Sequence, residues 1–255
     1  MLASLVARER VRLDQLLVER GLAPSRARAQ SLVLAGLVRV DGEVVDKAGK
    51  AVARDASLEV AAGDHPWVSR GGVKLAAALE TFSISPAGRR CLDVGASTGG
   101  FTDVLLHDGA SEVVALDVGR GQLDWRLRQD PRVVVKEGIN ARYLRRADVL
   151  GTFSLITVDV SFISLRLVVP ALLPVLSEGG DLVALIKPQF EAGRTEVGRG
   201  GVVWDPDVRE RAIESVLRAC RSLGLECVGR VRSPIAGPAG NVEELAHLRR
   251  SDTAT

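Results

Sequence analysis

Cys91-Leu92-Asp93-Val94-Gly95-Ala96-Ser97-Thr98-Gly99-Gly100-Phe101-Thr102 is the stretch that decides the fold. An apolar run ends in an acidic residue and then in a glycine-rich turn that opens a helix, which is how a nucleoside cofactor is held. Gly95, Gly99 and Gly100 can take positive φ and let a ligand approach the backbone closely. Asp93 places a carboxylate at the carboxyl end of the strand, where open α/β sheets bind ligands. A second run, Val113-Val114-Ala115-Leu116, ends in Asp117, spaced to reach the ribose hydroxyls of that cofactor.

The glycine spacing selects the cofactor. Dinucleotide binders use G-x-G-x-x-G to cradle a pyrophosphate on a helix amino terminus. Here the loop reads G-A-S-T-G-G: the early second glycine is missing, no Walker lysine follows, and Asp93 would repel phosphate. S-adenosylmethionine, with its amino group and cationic sulfonium, suits an acidic loop better. The motif alone leaves open a strand-to-helix turn without a ligand. By position, Gly95, Ser97, Gly99, Gly100 and Phe101 are assigned to the methionine end and Asp117 to the ribose, with Asp93 also counted among the cofactor-binding residues. Asn140, in Glu137-Gly138-Ile139-Asn140-Ala141-Arg142, either borders the adenine or forms a turn.

At 255 residues the chain has the length for a large domain and a small one. Apolar residues at 46% and charged residues at 26% exclude a disordered or collagen-like chain. No apolar stretch is long enough to span a bilayer, and the patch at Met1-Leu2-Ala3-Ser4-Leu5-Val6-Ala7 is too short for a signal peptide, so a cytoplasmic address and no membrane contact are expected. Cys91, Cys220 and Cys227 are odd in number and scattered, which points to buried thiols and to neither disulfide nor metal site. The net charge of +2 is mild, but residues 8–39 hold seven basic residues against three acidic ones.

That basic segment has a pattern. Leu13, Leu16 and Leu17 lie at helical spacing over residues 12–20, with Gly21 as the helix stop. Ser25 is an N-cap candidate for a second helix with the stripe Ala29, Leu32 and Val33. Val38-Arg39-Val40, Asp41-Gly42 and Val44-Val45 read as a hairpin with the D-G turn. The stretch resembles the small α+β RNA-binding domain named after ribosomal protein S-four, over roughly residues 11–62 of 1–63. The resemblance implies that Arg12, Ser25, Arg26, Arg28, Gln30 and Arg39 face RNA phosphates. Such contacts supply affinity and register but read little sequence. A linker is expected at 64–68, where Pro66 breaks any helix.

Residues 69–255 alternate strands and helices. Strands are expected near 91–95, 112–117, 132–136, 154–159, 181–186, 225–232 and 243–249, forming a seven-stranded, mostly parallel sheet whose last strand inserts antiparallel. The best-marked helix is 206–222, with Asp205 as N-cap, Pro206 at the first position and Gly224 past its end. Lys74, Asp159, Lys187 and Glu243 stand where apolar segments meet loops, an arrangement costly for lone charges.

Residues 64–250 resemble the FtsJ-type ribose methyltransferases, and the whole chain is similar to the TlyA family, whose members are named both as hemolysins and as ribosomal RNA methyltransferases. The resemblance implies a Rossmann-like class I domain using S-adenosylmethionine. It also implies a Lys-Asp-Lys-Glu tetrad around the target ribose, at Lys74, Asp159, Lys187 and Glu243, with Arg70 of Ser69-Arg70-Gly71-Gly72-Val73-Lys74 facing RNA. Glu244 departs from the family's aromatic or aliphatic residue, which leaves open which glutamate enters the site. A ribose 2′-hydroxyl needs a base to lose its proton. Lys187, desolvated and beside Lys74, would serve as a neutral amine oriented by Asp159, with Lys74 and Glu243 fixing the ribose. The expected reaction is 2′-O-methylation, implied for cytidine, in 16S or 23S ribosomal RNA or assembled subunits. Loop 192–203 is expected to be a mobile RNA-facing lid, and the chain a monomer. The competing readings are a hemolysin-like lytic protein and a noncatalytic RNA-binding protein.

Overall fold

The computed structural model describes residues 9–23, 26–60, 65–237 and 239–250. β1 (Arg10–Arg12) leads into α1 (Leu13–Glu19), whose leucines at positions 13, 16 and 17 form one buried face. α2 (Arg26–Leu34) packs Ala29, Leu32 and Val33 into the same small core. Asp41 and Gly42 both take positive φ, 51° and 84°, as a tight hairpin turn requires, and join β2 (Val38–Val40) to β3 (Glu43–Val44). Two pairings absent from the sequence reading complete this domain. β1 pairs with β4 (Ala51–Ala53) and β2 with β5 (Leu58–Val60), both antiparallel. Three-residue strands are too short to print an alternating pattern.

The second domain runs α3 (Gly71–Phe82), β6 (Arg90–Val94), α4 (Gly100–His107), β7 (Glu112–Asp117), α5 (Trp125–Gln129), β8 (Val133–Glu137), α6 (Arg146–Val149) and β9 (Phe153–Val158). It continues with α7 (Leu165–Leu172), β10 (Leu176–Ile186), α8 (Pro188–Glu191), α9 (Pro206–Ser222), β11 (Leu225–Arg232) and β12 (Glu244–Arg250). The sheet order is β11-β12-β10-β9-β6-β7-β8, parallel except for β12, which is antiparallel to both neighbours. Successive strand side chains point to opposite faces, so Leu92 and Val94 join a core with α7 and α9 while Cys91 joins another with α3 and α4.

β10 starts five residues earlier than the sequence suggests. Ser177-Glu178-Gly179-Gly180 reads as a turn, but the chain keeps its strand path through a pairing irregularity between Leu176 and Asp181, with Gly179 at φ 63°. β12 begins one residue after Glu243, which leaves that side chain on the turn before the strand. Cys91 and Cys220 are buried, but Cys227 is only half-buried, because on β11 at the sheet edge it meets solvent. Among the described residues no helix is long and apolar enough to cross a membrane.

Candidate active site

The strand order reverses between β6 and β9, and ligand crevices form at such switch points. Here the two strand ends are locked together. Asp159 donates its backbone N–H to Val94 at 2.9 Å, and a Cβ on Gly95, which has φ 86°, would collide with the Asp159 carbonyl. Only glycine lets the cofactor loop lie this close to Asp159.

Around that junction stand two ion pairs. Lys187 Nζ lies 2.5 Å from Asp159 Oδ1 and donates to Ser161 Oγ at 2.9 Å. Lys74 Nζ donates to Glu243 Oε2 at 2.5 Å, with both side chains buried. Burial opposes ionisation of Asp159, but the ammonium groups of Lys187 and then Lys74 outweigh it and hold the carboxyl below the usual carboxylate range. Both lysines thus act on one carboxylate. Each ammonium also has a carboxylate in contact, Asp159 for Lys187 and Glu243 for Lys74. The second oxygen of Glu243, Oε1, is buried without a hydrogen-bond partner among the described residues, and a Cβ on Gly237 would strike it. Glu244 is not part of this group: it pairs with Arg230, which also holds Glu210 and Glu214 of α9.

The cofactor loop differs from the sequence assignment at several positions. Asp117 Oδ2 accepts the Ser97 N–H at 2.8 Å and Oδ1 the Gly119 N–H at 2.6 Å, so both oxygens are prefixed while each keeps a second lone pair. A carboxylate fixed this way beside a loop without basic residues fits a ribose diol and a cationic ligand; it does not fit a pyrophosphate. Two residues expected to touch the cofactor, Asp93 and Phe101, have their side chains buried in the protein. Phe101 is a core residue, and Asp93 has no exposed surface, taking hydroxyls from Thr102 at 2.7 Å and Thr157 at 3.2 Å. Asp93 therefore braces the loop from below. Gly99 and Gly100 are also packed against protein, at Leu123 and Leu127 and at Ser69 and Gly72 respectively. For Asn140 the turn alternative holds, since its Oδ1 accepts the Arg142 N–H at 3.0 Å.

Burial pushes the Asp93 carboxyl up to about 7, against which the hydroxyls of Thr102 and Thr157 are lesser opposing effects. A raised native value means that this group's contribution to stability is complete below its unfolded value of about 3.9 and is lost as pH rises through the native value. Asp93→Asn keeps the shape without the charge. Urea midpoints of variant and parent should therefore diverge in the variant's favour between pH 4 and 7; parallel curves would refute the burial argument.

The basic face of the amino-terminal domain is organised by a residue that the sequence reading only counted. Asp14 is wholly buried and accepts from Arg12 Nε and Nη2 at 3.0 and 2.8 Å, from Gln30 Nε2 at 2.9 Å and from Arg26 Nη2 at 3.2 Å. The Arg12 guanidinium, opposed by burial and joined by Gln30 and Arg26, holds its carboxyl well below the usual range. Both arginines keep half of their surface in solvent. Arg39, exposed, donates to the Gly42 carbonyl at the hairpin tip. Ser25 lies outside the described residues, as does the side chain of Arg28. Because a depressed carboxylate stabilises fully above its unfolded value of about 3.9 and loses that contribution as pH falls on through its lower native value, Asp14→Ala should cost about 2 kcal/mol at neutral pH, discounted for the exposed arginines, and less as pH falls below 4. Hydrogen exchange of α1 amides measures this, and unchanged protection at pH 7 would contradict it.

The two domains touch. Ser31 Oγ donates to the Gln122 carbonyl at 3.3 Å, and Arg70 lies against Gly36 while its guanidinium reaches the Ala236 carbonyl at 3.4 Å. Arg70 thus sits at the junction, next to the turn that backs Glu243. Trp67 packs on Gly72 and on the His107 ring, and Val68 N–H donates to Asp103.

The loop expected as a mobile lid is anchored at its far end. Asn241, buried, donates from Nδ2 to the Gly201 carbonyl at 2.8 Å and accepts the Val203 N–H at 3.0 Å. This leaves 198–201 as an exposed turn. Phe162 was missed as well. It is 90% exposed, has φ 63° and leans on Phe190 with ring centroids 5.1 Å apart. A phenylalanine directly after Ser161, in the loop that follows the β9 aspartate, was the available signal.

Comparison with known proteins places these features in a family. Residues 67–250 match the FtsJ-like methyltransferase family and residues 11–64 the S4 domain. The chain is 53% identical to the 16S/23S rRNA (cytidine-2'-O)-methyltransferase TlyA of Mycobacterium tuberculosis, over 94% of this chain and 90% of that one. It is 43% identical to Hemolysin A of Brachyspira hyodysenteriae, over 93% and 99%. A solved structure from Streptococcus thermophilus, provisionally described as a hemolysin, superposes with a TM-score of 0.75 at 44% identity, covering 96% of this chain and 90% of that one.

Proposed function

The chain belongs to the FtsJ-like methyltransferase family, and from that premise we propose that it is an S-adenosylmethionine-dependent ribosomal RNA methyltransferase acting on a cytidine ribose 2′-hydroxyl. The observation that carries the reading is the pair of contacts Lys187–Asp159 and Lys74–Glu243 beside Gly95. Asp117, with Ser97 and Gly95, would hold the cofactor's ribose and methionine portion. Bound there, the cofactor supplies an electrophilic methyl group on a sulfonium cation.

Lys187, in its amine form, would take the 2′-hydroxyl proton as that oxygen bonds the methyl carbon and the sulfur–methyl bond breaks to leave a neutral thioether, and would pass the proton on to solvent. Asp159 and Ser161 fix the direction of its nitrogen. Lys74 and Glu243 line the other side and hold the sugar. Phe162, exposed and next in sequence to Ser161, offers a face on which the target base can stack. The amino-terminal basic face grips RNA phosphates, leaving choice of target to RNA shape. Holding hydroxyl and methyl at attack distance can remove about 7 to 11 kcal/mol of barrier.

The test incubates the purified chain with ribosomal subunits and S-adenosylmethionine, then analyses nucleosides by mass spectrometry. 2′-O-Methylcytidine is expected. A chain that binds the cofactor but yields only base-methylated nucleosides, or none, refutes the reading.

A further inference from the structure

Lys187 enters the site from the end of β10 and Asp159 from the end of β9, so the contact between them depends on two separate loops. One side chain ties those loops together. Glu191, four residues after Lys187 at the end of α8, is buried. Its Oε1 accepts the Leu165 N–H at 2.7 Å and its Oε2 the Ser164 hydroxyl at 2.5 Å, with Arg166 Nε 3.5 Å away. Ser164 closes the run Asp159-Val160-Ser161-Phe162-Ile163-Ser164, and within that run Ser161 accepts a hydrogen bond from Lys187 Nζ. On the other side, Pro188 follows Lys187 directly and restricts the backbone between it and Glu191.

Helix capping accounts for only one of the Glu191 contacts: Ser164 caps α7 by accepting the Arg166 N–H at 3.2 Å and Glu191 Oε1 takes the Leu165 N–H, but the bond from the Ser164 hydroxyl to Oε2 satisfies no backbone group. A buried carboxylate is a costly way to add a second cap. Burial indeed pushes the Glu191 carboxyl upward against its hydrogen bonds.

We propose that Glu191 is a positioning residue for methyl transfer, fastening the segment 159–164 to the turn 187–191 and so setting Lys187 Nζ against Asp159 and Ser161. The proposal rests on the reading of Lys187 as the base. Its loss displaces the amine without removing it, a kind of misplacement that can cost about 100-fold in rate.

The experiment compares Glu191→Ala and Glu191→Gln with the parent, and Glu191→Ala also in a Lys187→Ala background. It reads kcat, KM for ribosomal subunits, cofactor affinity by calorimetry and thermal stability. Glu191→Ala is expected to lower kcat by about 100-fold with KM and cofactor affinity unchanged. Glu191→Gln, whose amide oxygen can still accept the Leu165 N–H, should recover most of that loss. Without Lys187 there is nothing left to position, so Glu191→Ala should then add no further loss. A kcat unchanged in Glu191→Ala despite a lowered melting temperature, or losses that multiply in the double variant, overturns the proposal. Should Glu191→Ala fail to fold, Glu191→Met, which fills the same space without an oxygen to accept the Leu165 N–H, decides, and a parental kcat in that variant overturns the proposal. A parent chain that binds cofactor without methylating ribose overturns the reading of the base, and the positioning role with it.

Discussion

Lys187→Ala is expected to lower the rate of ribose methylation by about 100- to 10,000-fold, the range spanned by a positioned general base. Its Nζ is the only basic atom that contacts both Asp159 and Ser161 among the described residues. Among the described residues its hydrogen bond and ion pair go to Ser161 and Asp159, while the cofactor-loop backbone is ordered by Asp117 and by the β6–β9 junction. Cofactor affinity, measured by calorimetry, should therefore stay at the parental value while 2′-O-methylcytidine formation collapses. Lys187→Arg keeps the charge but holds its proton too firmly to act as a base, and should be nearly as inactive as alanine. A Lys187→Ala variant retaining more than a tenth of parental rate would remove Lys187 from the role of base.

Glu243→Gln is expected to be the most destabilising of the single changes within the tetrad. It leaves the buried Lys74 ammonium without its carboxylate, and removing one partner of a buried pair typically costs about 3 to 5 kcal/mol. Asp159, which feels the Lys74 charge, offers partial compensation, so the lower end is expected. That corresponds to a melting temperature lower by roughly 10 °C in a domain of this size. The control is Glu244→Gln, which loosens only the half-exposed cluster at Arg230 and should shift melting far less. Lys74→Met together with Glu243→Gln tests the cause, because taking away the cation as well should restore much of the stability while activity stays lost. Equal melting temperatures for Glu243→Gln and Glu244→Gln would show that the ion pair is not what holds the β12 turn.

Much of the α/β domain was legible because its period is local. Strands at 112–117 and 225–232 and the helix 206–222 carry their alternation, N-cap and terminal glycine within a few residues. The short strands β1, β4 and β5 left no trace, because three residues carry too little periodicity and their pairing partners lie far away in sequence. The four charges stood out where apolar runs meet loops, and their grouping as a tetrad came from the family resemblance. How the four groups pair was not legible, since Lys74 and Glu243 are 169 positions apart.

The sequence by itself determined the order of strands in the second domain, the acidic glycine-rich loop and the charges that end β9 and β10, all of which follow from neighbours along the chain. Only the tertiary structure decided that Asp93 is buried beneath its loop, that Asp14 organises the arginines, that Glu243 and not Glu244 meets Lys74, and that Glu191 bridges two strand-end loops. Each of these depends on which side of a side chain is closed off by distant segments. Desolvation and hydrogen-bond partners are properties of packed space, and a linear pattern does not encode them.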